Sequence, residues 1–441
     1  MNNKNNKKVA AVTLGCKLNY AETSSILRGL EGLGWEQCGP DEGPALVIVH
    51  TCAVTGQAEQ KCRQKIRRLV RMNPAARVVA IGCYAQLSPS LLAGIEGVSA
   101  VLGTGEKFEL CRYLEAAEGE RGAPPAVAAG PLSELRRARP GSSPPAGGGR
   151  TRAFLKIQDG CDYGCAYCTI PLARGRSRSL EPGEVLRQAR ELALSGYREI
   201  VLSGVNTGDY RSGDVDFAKL LAMLEEVPVS RIRISSLEPD RLSREVLRAV
   251  AASRRVVPHL HLPLQSGSDR ILGAMGRRYT TAGYRDAVLR AMDAVPGCAV
   301  GADVMVGYPG EAEEEFGEMC RFIESLPLSY LHVFSCSVRP GTLLARQVEA
   351  GVRRRVEPKE AARRSAELIR LGEDKARSYA LQAVGSRRMV LFEEGCRGYT
   401  PEYLRVEVES PEGGEGLAGR ELPVLVERLG EGLQLHGRLL S

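Results

Sequence analysis

Asp159-Gly-Cys161-Asp-Tyr-Gly-Cys165-Ala-Tyr-Cys168 is the stretch on which the reading of this 441-residue chain turns. It follows a strand-like run at 153–157, so its cysteines fall on a loop at the carboxyl end of a strand. The spacing is Cys-x3-Cys-x2-Cys. Three thiolates this close on one loop can hold three irons of a four-iron cluster and leave the fourth iron open to a small ligand. Zinc is the competing reading. It takes four protein ligands, or His with Cys, and no histidine lies near this loop.

Outward from the loop, residues 152–379 alternate between strand-like and helix-like segments. Strands are expected at 153–157, 199–202, 231–235, 259–262, 300–306 and 331–334, with helices between them, as at 184–194, 243–252 and 313–323. Six β/α units predict a barrel or partial barrel, with its chemistry at the carboxyl ends of the strands. Residues 8–128 alternate in the same way, with strands at 9–14, 45–50, 77–81 and 98–102 and helices near 22–33 and 59–71. That pattern predicts a parallel sheet. Cys16, Cys52 and Cys83 each come just after one of these strands. Carboxyl ends of parallel strands share one edge, so these three either converge in space or are separate buried thiols. The stretch 123–149 is dense in Pro, Gly, Ala and Ser and reads as a linker. From about residue 380, short runs at 388–392, 404–408 and 422–429 between glycine turns predict a small β-barrel. The expected fold is therefore α/β in class. It has an N-terminal parallel α/β domain (7–122), a linker (123–149), a partial (β/α)6 barrel (150–379) and a small all-β barrel (380–441).

Thirteen cysteines, an odd count in a long chain, argue against a disulfide framework and for metal binding or catalysis. Cys38, Cys62, Cys111, Cys298, Cys320 and Cys396 lie in no motif and read as small buried hydrophobes. The net charge of +7 suits a polyanionic partner without requiring one. No apolar run reaches the roughly 20 residues that cross a bilayer. The polar start of the chain does not read as a signal peptide, so a cytoplasmic protein with no membrane partner is expected.

The cysteine loop resembles that of the radical S-adenosylmethionine (SAM) enzymes. Leu14-Gly-Cys16-Lys-Leu-Asn19-Tyr20, Thr51-Cys52-Ala-Val-Thr55 and Gly82-Cys83-Tyr-Ala-Gln86 resemble the N-terminal domain of the methylthiotransferases, and Gly398-Tyr-Thr-Pro-Glu-Tyr403-Leu-Arg405 resembles their TRAM domain. The resemblance covers nearly the whole chain outside the linker and is strongest to the branch acting on threonylcarbamoyladenosine. It implies two 4Fe–4S clusters. Cys161, Cys165 and Cys168 would hold the cluster that binds and cleaves SAM, and Cys16, Cys52 and Cys83 an auxiliary cluster that carries the transferred sulfur. Gly204, Asn206, Ser235, Glu238, Gln265 and Asp303, all at expected strand ends, would form the SAM cradle. The implied reaction is methylthiolation of C2 of N6-threonylcarbamoyladenosine at position 37 of tRNA. A SAM-derived radical would abstract the hydrogen, and a second SAM would supply the methyl group. The implied partners are tRNA, a flavodoxin- or ferredoxin-type reductant and an unidentified sulfur donor.

Other branches act on isopentenyladenosine in tRNA or on a ribosomal-protein aspartate, and an iron–sulfur RNA-binding protein without turnover is a further reading. Two basic groups, Lys61 to Arg71 and Arg174, Arg176 and Arg178, could follow phosphates or be solvated faces. Against RNA, the part from residue 380 on carries seven Arg and ten Glu, with no Lys or Asp, for a net charge of −3. His50 stands where the family commonly has Asn. A fourth cluster ligand there is conceivable, and a role supporting the ligands or in packing is the expectation. Cys336 replaces a usual aromatic residue and is not expected to bind metal.

Overall fold

In the computed structural model the described residues are 7–116, 124–144, 151–409 and 416–440, without the side chains of 114–116. The apolar runs of the first domain form parallel strands β1 (Lys8–Thr13), β2 (Leu46–Thr51), β3 (Arg77–Gly82) and β4 (Val98–Leu102). Side chains alternate across such a sheet, and both faces are covered. Val47, Val49, Val78 and Ala80 pack on one side with Ile66 and Leu69, and Leu46, Ile48, Val79 and Ile81 on the other with Ile26 and Leu30. Pairing of Thr13 with His50 and of Thr51 with Gly82 aligns the carboxyl ends. Helix α1 (Lys17–Glu31) begins directly after Cys16, five residues earlier than the apolar pattern suggested. Helices α2 (Gly56–Met72) and α3 (Cys83–Leu87) follow β2 and β3.

Part of the supposed linker is structure. β5 (Ala126–Ala128) pairs with β4 and finishes the sheet, because three small residues suffice to satisfy an otherwise open edge. Ser142 and Ser143 are buried, and Arg28 donates to Ser142 Oγ at 2.7 Å and to the Ser143 carbonyl at 2.6 Å. Residues 123 and 145–149 of that stretch lie outside the described residues.

The central domain has the expected six strands in two parallel triplets. β6 (Arg152–Lys156), β7 (Glu199–Ser203) and β8 (Arg231–Ile234) form one, and β9 (His259–His261), β10 (Ala299–Val306) and β11 (Tyr330–Ser335) the other. The bridge between Ser236 and His261 joins them into an open barrel. Short helix α4 (Ile170–Arg174) follows the cysteine loop, and long α5 (Pro358–Leu381) packs along β11 and leads to the last domain. There β12 (Arg387–Glu394), β13 (Arg397–Tyr399), β14 (Arg405–Val408), β15 (Glu421–Leu429) and β16 (Leu435–Leu439) close into a barrel.

Candidate active site

The cysteine loop leaves Cys161, Cys165 and Cys168 partly exposed, and each sulfur accepts one N–H. The Tyr163 amide donates to Cys161 Sγ at 3.4 Å, the Ile170 amide to Cys168 Sγ at 3.4 Å and the Arg277 guanidinium to Cys165 Sγ at 3.3 Å. Burial pushes the Cys161 thiol up to about 11 and the Cys168 thiol up to about 12. Donors aimed at every sulfur favour the thiolate and are what a cluster's ligands receive, so this loop fits a 4Fe–4S cluster. Arg277, which no motif announced, also pairs with Glu238. Burial raises Glu238 to about 7 against the opposing pull of Arg277.

The three distant cysteines do converge. Gly15 has φ of +101°, and a Cβ there would lie 2.7 Å from Cys52 Cβ. Gly82 has φ of +98°, and its Cβ would lie 2.8 Å from His50 Nε2. Glycine before Cys16 and before Cys83 is therefore a steric requirement for bringing the strand ends together. Asn19 ties the edge, donating to the carbonyls of Leu14 at 2.8 Å and Thr51 at 3.2 Å. Cys52 and Cys83 are buried and Cys16 is exposed. Burial pushes the Cys52 thiol up to about 12 and raises that of Cys83. The two cysteine sets share one site. Thr169 reaches the Ala53 carbonyl at 3.5 Å, and Thr104 donates to the Ala173 carbonyl at 2.5 Å.

Under this edge lies a buried charge network that spans the two domains. Glu22 accepts from Lys107 and Lys156 at 2.6 Å each and from Arg174 at 3.1 Å, while Asp159 accepts from Lys156 at 2.7 Å and Arg174 at 2.8 Å. With Arg178 at 3.6 Å from Asp159, four cations thus meet two carboxylates. Burial opposes the charge on Arg174, but Cys83, Glu22, Asp159 and Cys16 more than restore it. A buried surplus of positive charge is costly unless something negative faces it. Iron-bound thiolates at Cys16 and Cys83 would supply that negative charge, so the edge fits an auxiliary cluster. His50 lies beside this network. It is fully buried, shares a hydrogen bond with Thr23 at 2.9 Å, stands 3.7 Å from Glu22 and is held below its ordinary range, first by burial and then by Lys107.

Gly204, Asn206, Ser235, Glu238 and Gln265 lie in the loops after β7, β8 and β9, whereas Asp303, expected at a strand end, lies in the middle of β10 because that strand runs on to Val306. Gln158 Oε1 accepts from the amides of Val205 at 2.9 Å and Asn206 at 3.1 Å, fixing the turn at Gly204. The Ser235 hydroxyl and the Asn206 side-chain oxygen are buried with no hydrogen-bond partner among the described residues, as befits groups that await a polar ligand such as SAM. Gln265 holds φ of +66°, a conformation non-glycine residues adopt rarely. Asp303 faces the barrel interior but is already engaged, accepting from His261 at 2.9 Å and His332 at 3.2 Å. Burial would raise its carboxyl, and those two hydrogen bonds hold it down at about 2.

Two expectations about charge change. Arg174 and Arg178 are buried, so of that group only Arg176 is exposed toward a phosphate, whereas Lys61, Arg67, Arg68 and Arg71 of α2 are exposed. Two of the ten glutamates of the acidic tail dock it onto the barrel. Arg152 of β6 pairs with Glu393, and Arg231 of β8 with Glu421 at 2.8 Å. Tyr403 joins them at the base of the barrel, with the guanidinium groups of Arg152 and Arg233 at 5.5 and 4.7 Å from its ring centre. Cys336 packs on the apolar cluster of Tyr308, Ile271 and Leu344.

The family model described as "Radical SAM superfamily" matches residues 155–323, and "Uncharacterized protein family UPF0004" matches residues 8–103. The chain is 38% identical to "Threonylcarbamoyladenosine tRNA methylthiotransferase MtaB" of Bacillus subtilis (strain 168), over 96% of this chain and 94% of that protein. It is 33% identical to the protein of that name from Aquifex aeolicus, over 91% and 97%. The "tRNA-2-methylthio-N(6)-dimethylallyladenosine synthase" of Dictyoglomus thermophilum is 32% identical over 75% and 76%. Among solved structures, the radical S-adenosylmethionine methyltransferase TsrM from Kitasatospora setae matches at TM-score 0.58 and 18% identity, over 78% of each chain, a likeness of fold alone.

Proposed function

This chain belongs to the radical SAM tRNA methylthiotransferases, and from that footing we propose that it methylthiolates C2 of N6-threonylcarbamoyladenosine at position 37 of tRNA. The observation that carries the reading is the meeting of two cysteine triads at one site, within a chain alike over its whole length to enzymes named for that nucleoside. The family's two 4Fe–4S clusters and SAM, when bound, supply the electron, the hydrogen-abstracting radical, the sulfur and the methyl group.

Cys161, Cys165 and Cys168 are assigned to the SAM-binding cluster and Cys16, Cys52 and Cys83 to the auxiliary one. The chain's own part is positioning. Gly204, Asn206, Ser235, Glu238 and Gln265 line the SAM side, and Ser235 and Asn206 offer the polar atoms that have no protein partner. Arg277 donates to Cys165 Sγ and holds Glu238. Arg174 and its network hold positive charge against the auxiliary edge. The Asp303 carboxylate, fixed by His261 and His332, is a positioning group of the barrel interior and not a free SAM ligand. The exposed basic face of α2 is assigned to the tRNA backbone. A flavodoxin- or ferredoxin-type protein is the reductant in this reading. No helix of the described residues is long and apolar enough to cross a membrane.

Two triple variants test the assignment. Cys161→Ala/Cys165→Ala/Cys168→Ala should keep about four irons of about eight and lose reductive SAM cleavage. Cys16→Ala/Cys52→Ala/Cys83→Ala should also keep about four, with SAM cleavage but no methylthiolated product. Reductive SAM cleavage by the first variant would refute the assignment.

A further inference from the structure

The barrel interior carries charged side chains such as Arg233, Glu199 and Asp303, unlike the layers of branched apolar side chains that fill a closed eight-stranded barrel. Alternation along β6 and β8 turns Arg152 and Arg233 inward, because their neighbours Ala153, Ile232 and Ile234 pack outward with the helices. The open side of the barrel, beside β6, is covered by α1. Tyr20 meets Phe154 edge-on at 5.6 Å, and Glu22 binds Lys156 at 2.6 Å. One turn before Tyr20, and directly after Cys16, α1 begins with Lys17.

Lys17 is an exposed residue at the start of this covering helix. It makes no hydrogen bond or ion pair with any described residue. The carboxylates nearby are all engaged. Glu199 takes both bonds of Arg233 at 2.7 and 2.9 Å, Glu393 takes Arg152, and Asp303 takes His261 and His332.

We propose that Lys17 is the specificity residue for the substrate's side arm and pairs with the carboxylate of its threonyl group. The inference rests on the reading that the nucleoside is threonylcarbamoyladenosine, and the geometry favours this anion over others. Adenine C2 must come to the auxiliary edge at Cys16, and Lys17 is the next residue. The arm's ureido N–H can close a hydrogen bond onto ring N1, which turns the arm along the N1–C2 edge toward that same place. An isopentenyl arm carries no charge and gains nothing from an unpaired ammonium, whose desolvation would count against it.

Three stem-loop RNAs test this with the reconstituted full-length protein. One carries the natural threonylcarbamoyl arm, one the same arm as its carboxamide, and one an isopentenyl arm. The wild-type protein should prefer the carboxylate over the carboxamide by about 10- to 100-fold in kcat/KM. Lys17→Met should raise KM for the carboxylate RNA by a similar factor, bring that preference close to one and leave KM for SAM unchanged. Lys17→Arg should restore most of the preference. Iron content of each preparation reports whether it folded and loaded. Equal use of carboxylate and carboxamide by the wild type would overturn the proposal, as would a Lys17→Met loss equal on both RNAs. A rise in KM for SAM would assign Lys17 to SAM's own carboxylate and overturn it too. If the wild type modifies only the isopentenyl RNA, it is the substrate reading that fails, a separately visible result.

Discussion

Removing the charge of Glu22 should unsettle the protein far from any surface. Glu22 is fully buried and takes four hydrogen bonds, two of 2.6 Å from Lys107 and Lys156 and two of 3.1 Å from Arg174. In Glu22→Gln, an almost isosteric change, three buried cations are left with Asp159 alone. Breaking a buried ion pair on one side costs about 3–5 kcal/mol, because the stranded charge keeps its desolvation penalty. At about 2–4 °C per kcal/mol for domains of this size, the melting temperature should fall by about 6–20 °C. Thermal unfolding followed by circular dichroism, on anaerobically purified protein with equal iron content, gives the number. Lys156→Met added to Glu22→Gln removes one stranded cation and should recover a good part of the loss, a non-additivity of neighbours in one network. A drop within about 2 °C for the single variant, or simple additivity in the double, would refute the reasoning that this network is both buried and charge-coupled.

Acid should weaken the same network. Burial would raise the Glu22 carboxyl, but Arg174, Lys107 and Lys156 outweigh it and hold it well below its ordinary value, so its stabilisation is present above about pH 4.3 and is lost as pH falls through the folded value. His50 is held neutral, so the unfolded chain takes a proton below about pH 6.5 that the native state refuses, and stability falls in that window too. Urea midpoints should therefore decline from pH 7 to 5 through His50 and again from pH 4 to 3 through Glu22, and a flat profile in either window would count against that assignment. Gly82→Ala puts a Cβ into His50 and the Thr51 carbonyl at φ of +98°, and should cost about 1–3 kcal/mol together with iron from the auxiliary site alone, read by iron analysis. Arg277→Met removes a positive charge and an N–H donor from Cys165 and should move the midpoint potential of that cluster to more negative values in an EPR titration. An unchanged potential would show that the contact does no tuning.

The strands and both cysteine triads were legible because their signals are local. Apolar runs end in Gly-Cys, and a Cys-x3-Cys-x2-Cys loop has a spacing of its own. The charge network was not legible, because a charged residue on a helix usually faces water. Glu22 sits 85, 134 and 152 residues from Lys107, Lys156 and Arg174, and nothing in its neighbourhood marks it as buried. Arg174 misled for the same reason, since its neighbours Arg176 and Arg178 made it look like part of a surface patch. The docking of the tail was not legible either, since Glu393 and Glu421 find their partners Arg152 and Arg231 far away in the chain. β5 was hidden in a Pro/Gly-rich stretch because an edge strand of three small residues has no periodicity to read.

The central claim is the reaction on one modified nucleoside. Reconstituted protein, SAM, a strong reductant and tRNA bearing threonylcarbamoyladenosine, followed by nucleoside mass spectrometry, test it most directly. The account predicts that nucleoside heavier by one methylthio group in place of hydrogen, with 5′-deoxyadenosine formed alongside. An unchanged nucleoside in the presence of abundant 5′-deoxyadenosine would contradict it.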